Sequence, residues 1–292
     1  DAVMRFHTLI DCRQLNEKIG EPSWRVFDCR FDLADTGRGE RDYHESHLPG
    51  AIYAHLDRDL SGPITPQSGR HPLPDPKRLC RWLGQHAVQE NTQVVVYDDS
   101  GGTMAVRLWW LLRWLGHHQV ALIDGGWQAW TQAGLPTEQA LPQRVSGTAF
   151  NCRPDWRQVV DSDTILRQQR DDGNALLLID ARSAERFRGE AEPIDPVAGH
   201  IPGAINLPLQ QNLAADGRFM SATKLRSLYD DALAGRPPQD VALMCGSGVT
   251  ACHNLLAMEI AGLSGGRLYA GSWSEWIRDT SRPVACGDPQ SR

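Results

Sequence analysis

The sequence predicts an α/β fold built twice: two similar domains, each with a mostly parallel central sheet flanked by helices. Two observations carry this expectation. The chain repeats itself once at a spacing of about 150 residues, far longer than the period of a solenoid. Within each half, short β-rich runs alternate with helix-like runs, the pattern of strand–helix–strand units. A length of 292 residues fits about two domains.

The repeated pieces occur in the same order in both halves. Asp28-Cys29-Arg30 pairs with Asp180-Ala181-Arg182, each after an apolar strand signal. His47-Leu48-Pro49-Gly50-Ala51-Ile52 pairs with His200-Ile201-Pro202-Gly203-Ala204-Ile205. Val94-Val95-Val96-Tyr97-Asp98 pairs with Val241-Ala242-Leu243-Met244-Cys245, and Gly125-Gly126-Trp127 plus Trp130 with Gly271-Ser272-Trp273 plus Trp276. Strand signals fall at 94–97, 120–123, 176–179 and 241–244, and helix-like runs at 103–115 and 251–261. Trp109, Trp110 and Trp114, set among leucines, read as one side of a helix packed on the sheet. Leu141 to Pro154, with Pro142, Ser146 and Gly147, reads as a linker. The expected division is therefore 1–140, a linker at 141–155, and 156–292.

Composition excludes several classes. A net charge of −6 gives no support for nucleic-acid binding, so an anionic substrate has to be held by a local cationic pocket. No run approaches the roughly 20 apolar residues of a membrane span. Asp1 to Arg5 shows no basic segment followed by an apolar core, and no secretory signal is expected. Seven cysteines, at 12, 29, 80, 152, 245, 252 and 286, include no CxxC pair. They read as reduced thiols of a cytoplasmic protein, not as a disulfide framework or zinc site. No metal or organic cofactor is expected. His117-His118 reads as a surface pair at a helix end, and Cys252 as a buried thiol.

Cys245 carries the chemistry. It ends an apolar strand signal and opens the loop Cys245-Gly246-Ser247-Gly248-Val249-Thr250, which runs directly into a helix closed by Gly262. Backbone N–H groups and the helix dipole stabilise an anion at such a place, which favours a thiolate nucleophile. Gly246 and Gly248 suit a tight loop whose amides converge on one atom. Asp98 stands at the matching position of the first half. A carboxylate cannot serve as a sulfur nucleophile, so the first half is expected to be catalytically silent.

Taken together, these motifs resemble the tandem-domain rhodanese superfamily, from about Val26 to Trp276. The loop Cys-Gly-Ser-Gly-Val-Thr is similar to that of its 3-mercaptopyruvate sulfurtransferase branch. Thiosulfate-preferring members typically carry Arg or Lys just after the cysteine, where this chain has Gly246 and Ser247. The resemblance implies two-step sulfur transfer through a Cys245 persulfide to a thiol, cyanide or thioredoxin. It also implies a donor-binding role for Arg186, in Glu185-Arg186-Phe187-Arg188-Gly189, with Arg188 as a weaker candidate. Arg182 is expected to be structural. Ser247 matches the serine of a Ser-His-Asp relay whose other members would be His71 and Asp57, and Arg70 would add positive charge beside His71. Gly246, Gly248, Val249 and Thr250 would form the anion cradle.

One departure stands out. The branch often carries a second substrate arginine in a Glu-Pro-Arg context, and this chain reads Glu192-Pro193-Ile194-Asp195 there. A thiosulfate-preferring enzyme is therefore an alternative. A persulfide carrier or interaction module without efficient turnover is another, separable by whether free donor loads Cys245. A cysteine phosphatase is disfavoured, because the arginine it needs six positions after the cysteine is Ala251 here. Trp273 and Trp276 read either as cleft walls or as core.

Overall fold

Strands covered by helices on both faces must be apolar throughout, and the central strands of this chain are. Val94 to Tyr97 and Val241 to Met244 are all buried. The computed structural model describes residues 5–143, 147, 150–170 and 176–289. It divides into two units, each discontinuous in sequence. One comprises Asp1–Gly62, Pro74–Asp155 and Ala215–Phe219; the other comprises Pro63–Leu73, Trp156–Ala214 and Met220–Arg292. The N-terminal residues Asp1 to Met4, and residues 144–146 and 148–149 of the expected linker, lie outside the described residues.

In chain order the first unit holds β1 (Leu9–Ile10), α1 (Cys12–Asn16), β2 (Trp24–Asp28), α2 (Arg38–Glu45), β3 (Ile52–Tyr53), α3 (Pro76–Gln85), β4 (Gln93–Tyr97), α4 (Ala105–Trp114), β5 (Val120–Ile123) and α5 (Gly126–Gln132). The second holds β6 (Val159–Val160), α6 (Ser162–Arg170), β7 (Leu177–Asp180), α7 (Ala184–Arg188), β8 (Ile205–Asn206), α8 (Ala222–Leu233), β9 (Val241–Met244), α9 (Ala251–Ile260), β10 (Arg267–Tyr269) and α10 (Ser272–Trp276). The sheets have the same order, β1-β5-β4-β2-β3 and β6-β10-β9-β7-β8, and every strand pair is parallel. The expected α/β fold with two parallel sheets is what forms. Asp28 lies beside Tyr97 and Asp180 beside Met244, so the Asp-x-Arg elements and the loops after β4 and β9 share the carboxyl ends of their sheets, where open α/β sheets bind ligands.

The repeated motifs have structural jobs. Arg30 grips Asp28 through Nε and a terminal nitrogen at 2.8–3.2 Å, and Arg182 grips Asp180 at 2.8–3.1 Å. Each guanidinium also covers a tryptophan, Trp127 at 4.2 Å and Trp273 at 4.9 Å. Pairing, hydrogen bonding and aromatic cover together make a buried ion pair tolerable. His47 and His200 each make a 2.7 Å hydrogen bond through Nδ1 to a carbonyl, of Tyr43 and Phe187, and stack on that residue's ring. Trp109, Trp110 and Trp114 are buried, as are Trp273 and Trp276, which belong to the core of the second unit.

Two sequence expectations are corrected. Cys80 of α3 and Cys152 are joined as a disulfide with Cα atoms 5.8 Å apart, a normal separation for a bridge. They are 72 residues apart in sequence, so no local spacing announced the pair. Cys12, Cys29, Cys245 and Cys252 are free and buried, and Cys286 is free and exposed. Further, His117 is buried and its Nε2 lies 2.8 Å from the Thr92 carbonyl, while only His118 is exposed. Gly116, at φ +93°, turns the chain after α4 and directs His117 inward. Among the described residues, no helix is long and apolar enough to cross a membrane.

Burial holds the His117 pKa below its usual value, against the hydrogen bonds to Thr92 and Gln119 that raise it. As pH falls, the unfolded chain takes up this proton first, near pH 6.5. The His117 contribution to stability is therefore complete above that pH and lost progressively as pH falls toward the folded pKa. His117→Gln, whose amide still donates to Thr92, is expected to remove this component from urea unfolding curves collected between pH 7.5 and 5.

Candidate active site

Cys245 follows β9 and is 1 % exposed. Its Sγ accepts a hydrogen bond from the Gly248 N–H at 3.0 Å. That contact requires the chain to double back at once. Gly248 does so at φ +84°, and a Cβ there would stand 2.2 Å from the Ala270 carbonyl oxygen. Only glycine fits both the dihedral and the space.

A second segment clamps the loop from behind. The Trp273 N–H donates to the Cys245 carbonyl at 3.0 Å and the Ser274 N–H to the Gly246 carbonyl at 2.9 Å. The Cys245 N–H donates to Ser272 Oγ at 3.1 Å, and that hydroxyl donates on to the Tyr269 carbonyl at 2.9 Å. Ser272 sits at φ +55°, where its counterpart Gly126 sits at +58°. A non-glycine residue there costs about 1–3 kcal/mol of backbone strain. The hydroxyl that grips the Cys245 backbone is what the side chain adds. The Gly-x-Trp repeat was visible in sequence, but nothing in it showed that its middle residue holds the cysteine.

The first unit carries the same kind of loop with its anion built in. The Asp98 carboxylate accepts from the N–H groups of Ser100 and Gly102 at 2.9 Å, Met104 at 2.9 Å and Ala105 at 2.8 Å. Trp127 N–H donates to the Asp98 carbonyl at 2.9 Å, as Trp273 does to Cys245. A strand-to-helix loop of this shape is thus an anion nest.

Two guanidiniums border the cysteine loop. A Cβ on Gly246 would meet an Arg70 terminal nitrogen at 2.8 Å and those of Arg186 at 3.4 and 3.6 Å. Arg186 projects from α7, whose first turn is capped by Ser183 Oγ. Arg70 lies in the Pro63–Leu73 segment, which belongs to the second unit, and its N–H donates to Ser274 Oγ at 3.1 Å. The next residue, His71, places Nδ1 2.7 Å from Ser247 Oγ, with both side chains buried.

Carboxylates pair with both arginines. Arg70 Nε donates to Asp195 at 3.0 Å, and Arg186 donates to Glu192 at 3.1 Å and to Asp195 at 3.5 Å. Burial opposes the charge on Glu192, but the N–H groups of Asp195 and Ile194, with the Arg186 guanidinium, hold its carboxyl below the usual range. Arg186 Nε is buried with no hydrogen-bond partner among the described residues.

The sequence-derived candidates therefore divide. Cys245, Gly246, Ser247, Gly248, Val249, Arg70, His71 and Arg186 are brought together, and Thr250 continues the loop into α9. Arg188 pairs instead with Glu190 at 2.9 and 3.0 Å, near solvent. Asp57 lies in the first unit, after β3, where its N–H donates to His55 Nδ1 at 3.1 Å. Among the described residues, no group of three or more His, Cys, Asp or Glu is arranged to hold a metal ion.

Comparison with known proteins agrees with this architecture. The rhodanese-like domain family matches residues 11–133 and again 162–279. Over 282 residues, 96 % of this chain and 98 % of the relative, the sequence is 49 % identical to a Pseudomonas aeruginosa protein named "Probable 3-mercaptopyruvate sulfurtransferase". It is 30 % identical over 284 residues to the rat "Thiosulfate sulfurtransferase", covering 94 % of this chain and 93 % of that one. The solved 3-mercaptopyruvate sulfurtransferase from Leishmania major superposes with a TM-score of 0.82 at 31 % identity, covering 94 % of this chain and 75 % of that one. With its domain model matched in both halves and full-length relatives on either side, this chain belongs to the rhodanese-like family, in the form that carries two copies of the domain.

Proposed function

We propose that this chain is a sulfurtransferase that takes sulfur from 3-mercaptopyruvate onto Cys245 and passes it to a thiol, cyanide or thioredoxin. The observation that carries the reading is the juxtaposition at one loop: a thiol facing the Gly248 N–H, with the Arg70 and Arg186 guanidiniums against the adjoining Gly246. The relatives' names point to the same chemistry. In the first half-reaction the Cys245 thiolate attacks the donor sulfur. An S–S bond forms, the donor C–S bond breaks, and its electron pair leaves as pyruvate enolate. The proton from the transferred SH ends on the enolate carbon, giving pyruvate and a persulfide anion. The loop N–H groups stabilise sulfur anions before and after transfer. An acceptor thiolate then attacks the outer sulfur and Cys245 leaves as thiolate, so ping-pong kinetics are expected.

Arg186 anchors the donor carboxylate in this scheme, with Arg70 beside it. Ser247, hydrogen-bonded to His71, relays the proton, and Asp57 completes the relay on the strength of the sequence resemblance. The half with Cys245 is the catalytic domain, 156–292, and the half with Asp98, 1–140, is silent; 141–155 joins them. The reading includes a cytoplasmic location; a nucleophile that must remain reduced between turnovers supports it, and the Cys80–Cys152 disulfide stands against it. The paired arginines also favour a second reading, in which thiosulfate is the better donor. The deciding measurement is kcat/KM for 3-mercaptopyruvate and thiosulfate on one preparation, with cyanide as common acceptor. The expected ratio favours mercaptopyruvate by at least about tenfold, because nothing cationic follows Cys245 inside the loop. A ratio favouring thiosulfate would establish the second reading instead.

A further inference from the structure

Two guanidiniums and two carboxylates meet beside Gly246, and their charges cancel. Glu192 is committed to structure: it accepts from the N–H groups of Ile194 and Asp195, and it lies 3.4 Å from the buried Arg182. Asp195 differs. Its carboxylate joins Arg70, at 3.0 and 3.4 Å, to Arg186, at 3.5 Å, and its side chain is only 4 % exposed. Both arginines retain N–H groups against Gly246. A donor anion arriving there meets directional N–H groups but no surplus of positive charge.

We propose that Asp195 is a specificity-determining residue of this site, selecting a singly charged carboxylate donor over a dianion by neutralising Arg70 and Arg186. The inference rests on Cys245 being the sulfur-accepting nucleophile. Its physical basis is that Coulomb energy scales with ligand charge. One nearby negative charge therefore costs thiosulfate, a dianion, about twice what it costs mercaptopyruvate, a monoanion. Asp195 touches no reacting atom and acts through the arginines, as a positioning residue. The sequence showed only that an acid stood near where the branch often has arginine. The structure adds that Arg70 supplies a second guanidinium and that the acid is its partner.

The test compares kcat/KM for the two donors in the intact protein, with cyanide as acceptor. Asp195→Asn is expected to raise the thiosulfate-to-mercaptopyruvate ratio at least about tenfold, mainly by lowering KM for thiosulfate, and to steepen the salt dependence of the thiosulfate reaction. Asp230→Asn removes the same charge from the exposed Arg226 pair on α8 and is expected to leave the ratio unchanged. Arg70→Gln is expected to shift the ratio at least about tenfold in the opposite direction. Equal changes for both donors in Asp195→Asn and Arg70→Gln would overturn the proposal and reduce the cluster to a structural one. If Asp195→Asn does not fold, Arg70→Gln decides by the same criterion. Wild-type protein that moves sulfur from neither donor would defeat the functional reading itself, before any variant is compared.

Discussion

Cys245→Ser leaves no measurable sulfur transfer, a fall of roughly 10⁴-fold or more, with either donor and any acceptor. The change removes the only atom that can carry sulfur in the loop and preserves almost everything else. Serine is slightly smaller than cysteine, its hydroxyl can still accept from the Gly248 N–H, and the backbone clamps from Ser272, Trp273 and Ser274 are untouched. The unfolding midpoint in urea should stay close to that of the wild type. Mass spectrometry after incubation with donor should show an added sulfur on the wild-type chain and none on the variant. Transfer retained by a folded Cys245→Ser protein would sink the mechanism outright.

Gly248→Ala is expected to damage both fold and activity. The new Cβ would lie 2.2 Å from the Ala270 carbonyl oxygen and 3.0 Å from its carbon, all backbone, at φ +84°. Neither partner can rotate away as a flexible side chain would. The loop has to open, and the Gly248 N–H leaves the Cys245 sulfur. A stability loss of about 2–4 kcal/mol follows from strain of this type in a buried turn. Urea unfolding measures it. Sulfur transfer by the folded variant reads the second effect: losing that hydrogen bond to the cysteine sulfur should lower kcat. A variant with wild-type stability would show that the loop has more room than its contacts indicate.

Much of this was legible in the sequence because the decisive signals were local or duplicated. Central strands such as β4 and β9 announce themselves as unbroken apolar runs, and the loop between β9 and α9 as a cysteine among glycines. The two-residue strands β1, β3, β6 and β8 carry no such pattern and form only because a longer neighbour offers them an edge. At the site, Cys245, Ser247, His71 and Arg186 were singled out by motif, and the structure brings them to one loop. Asp195 was noticed only as an obstacle, since its meaning depends on Arg70, 125 residues away in sequence. The Cys80–Cys152 bond escaped for the same reason. Ser272 escaped because a serine beside a glycine gives no hint of a positive φ.

The nest around Asp98 bears on how the chain is counted. Its four N–H donors are already engaged by a covalently tethered carboxylate, which cannot diffuse away and offers no thiol to alkylate or oxidise. Of the two strand-to-helix loops, the one at Asp98 therefore has these N–H groups occupied from within, whereas at the other the Gly248 N–H faces a thiol sulfur. Thiol-directed oxidants and electrophiles find their target at the second loop, not the first. The first is a permanently liganded reference copy, with the ligand supplied by translation.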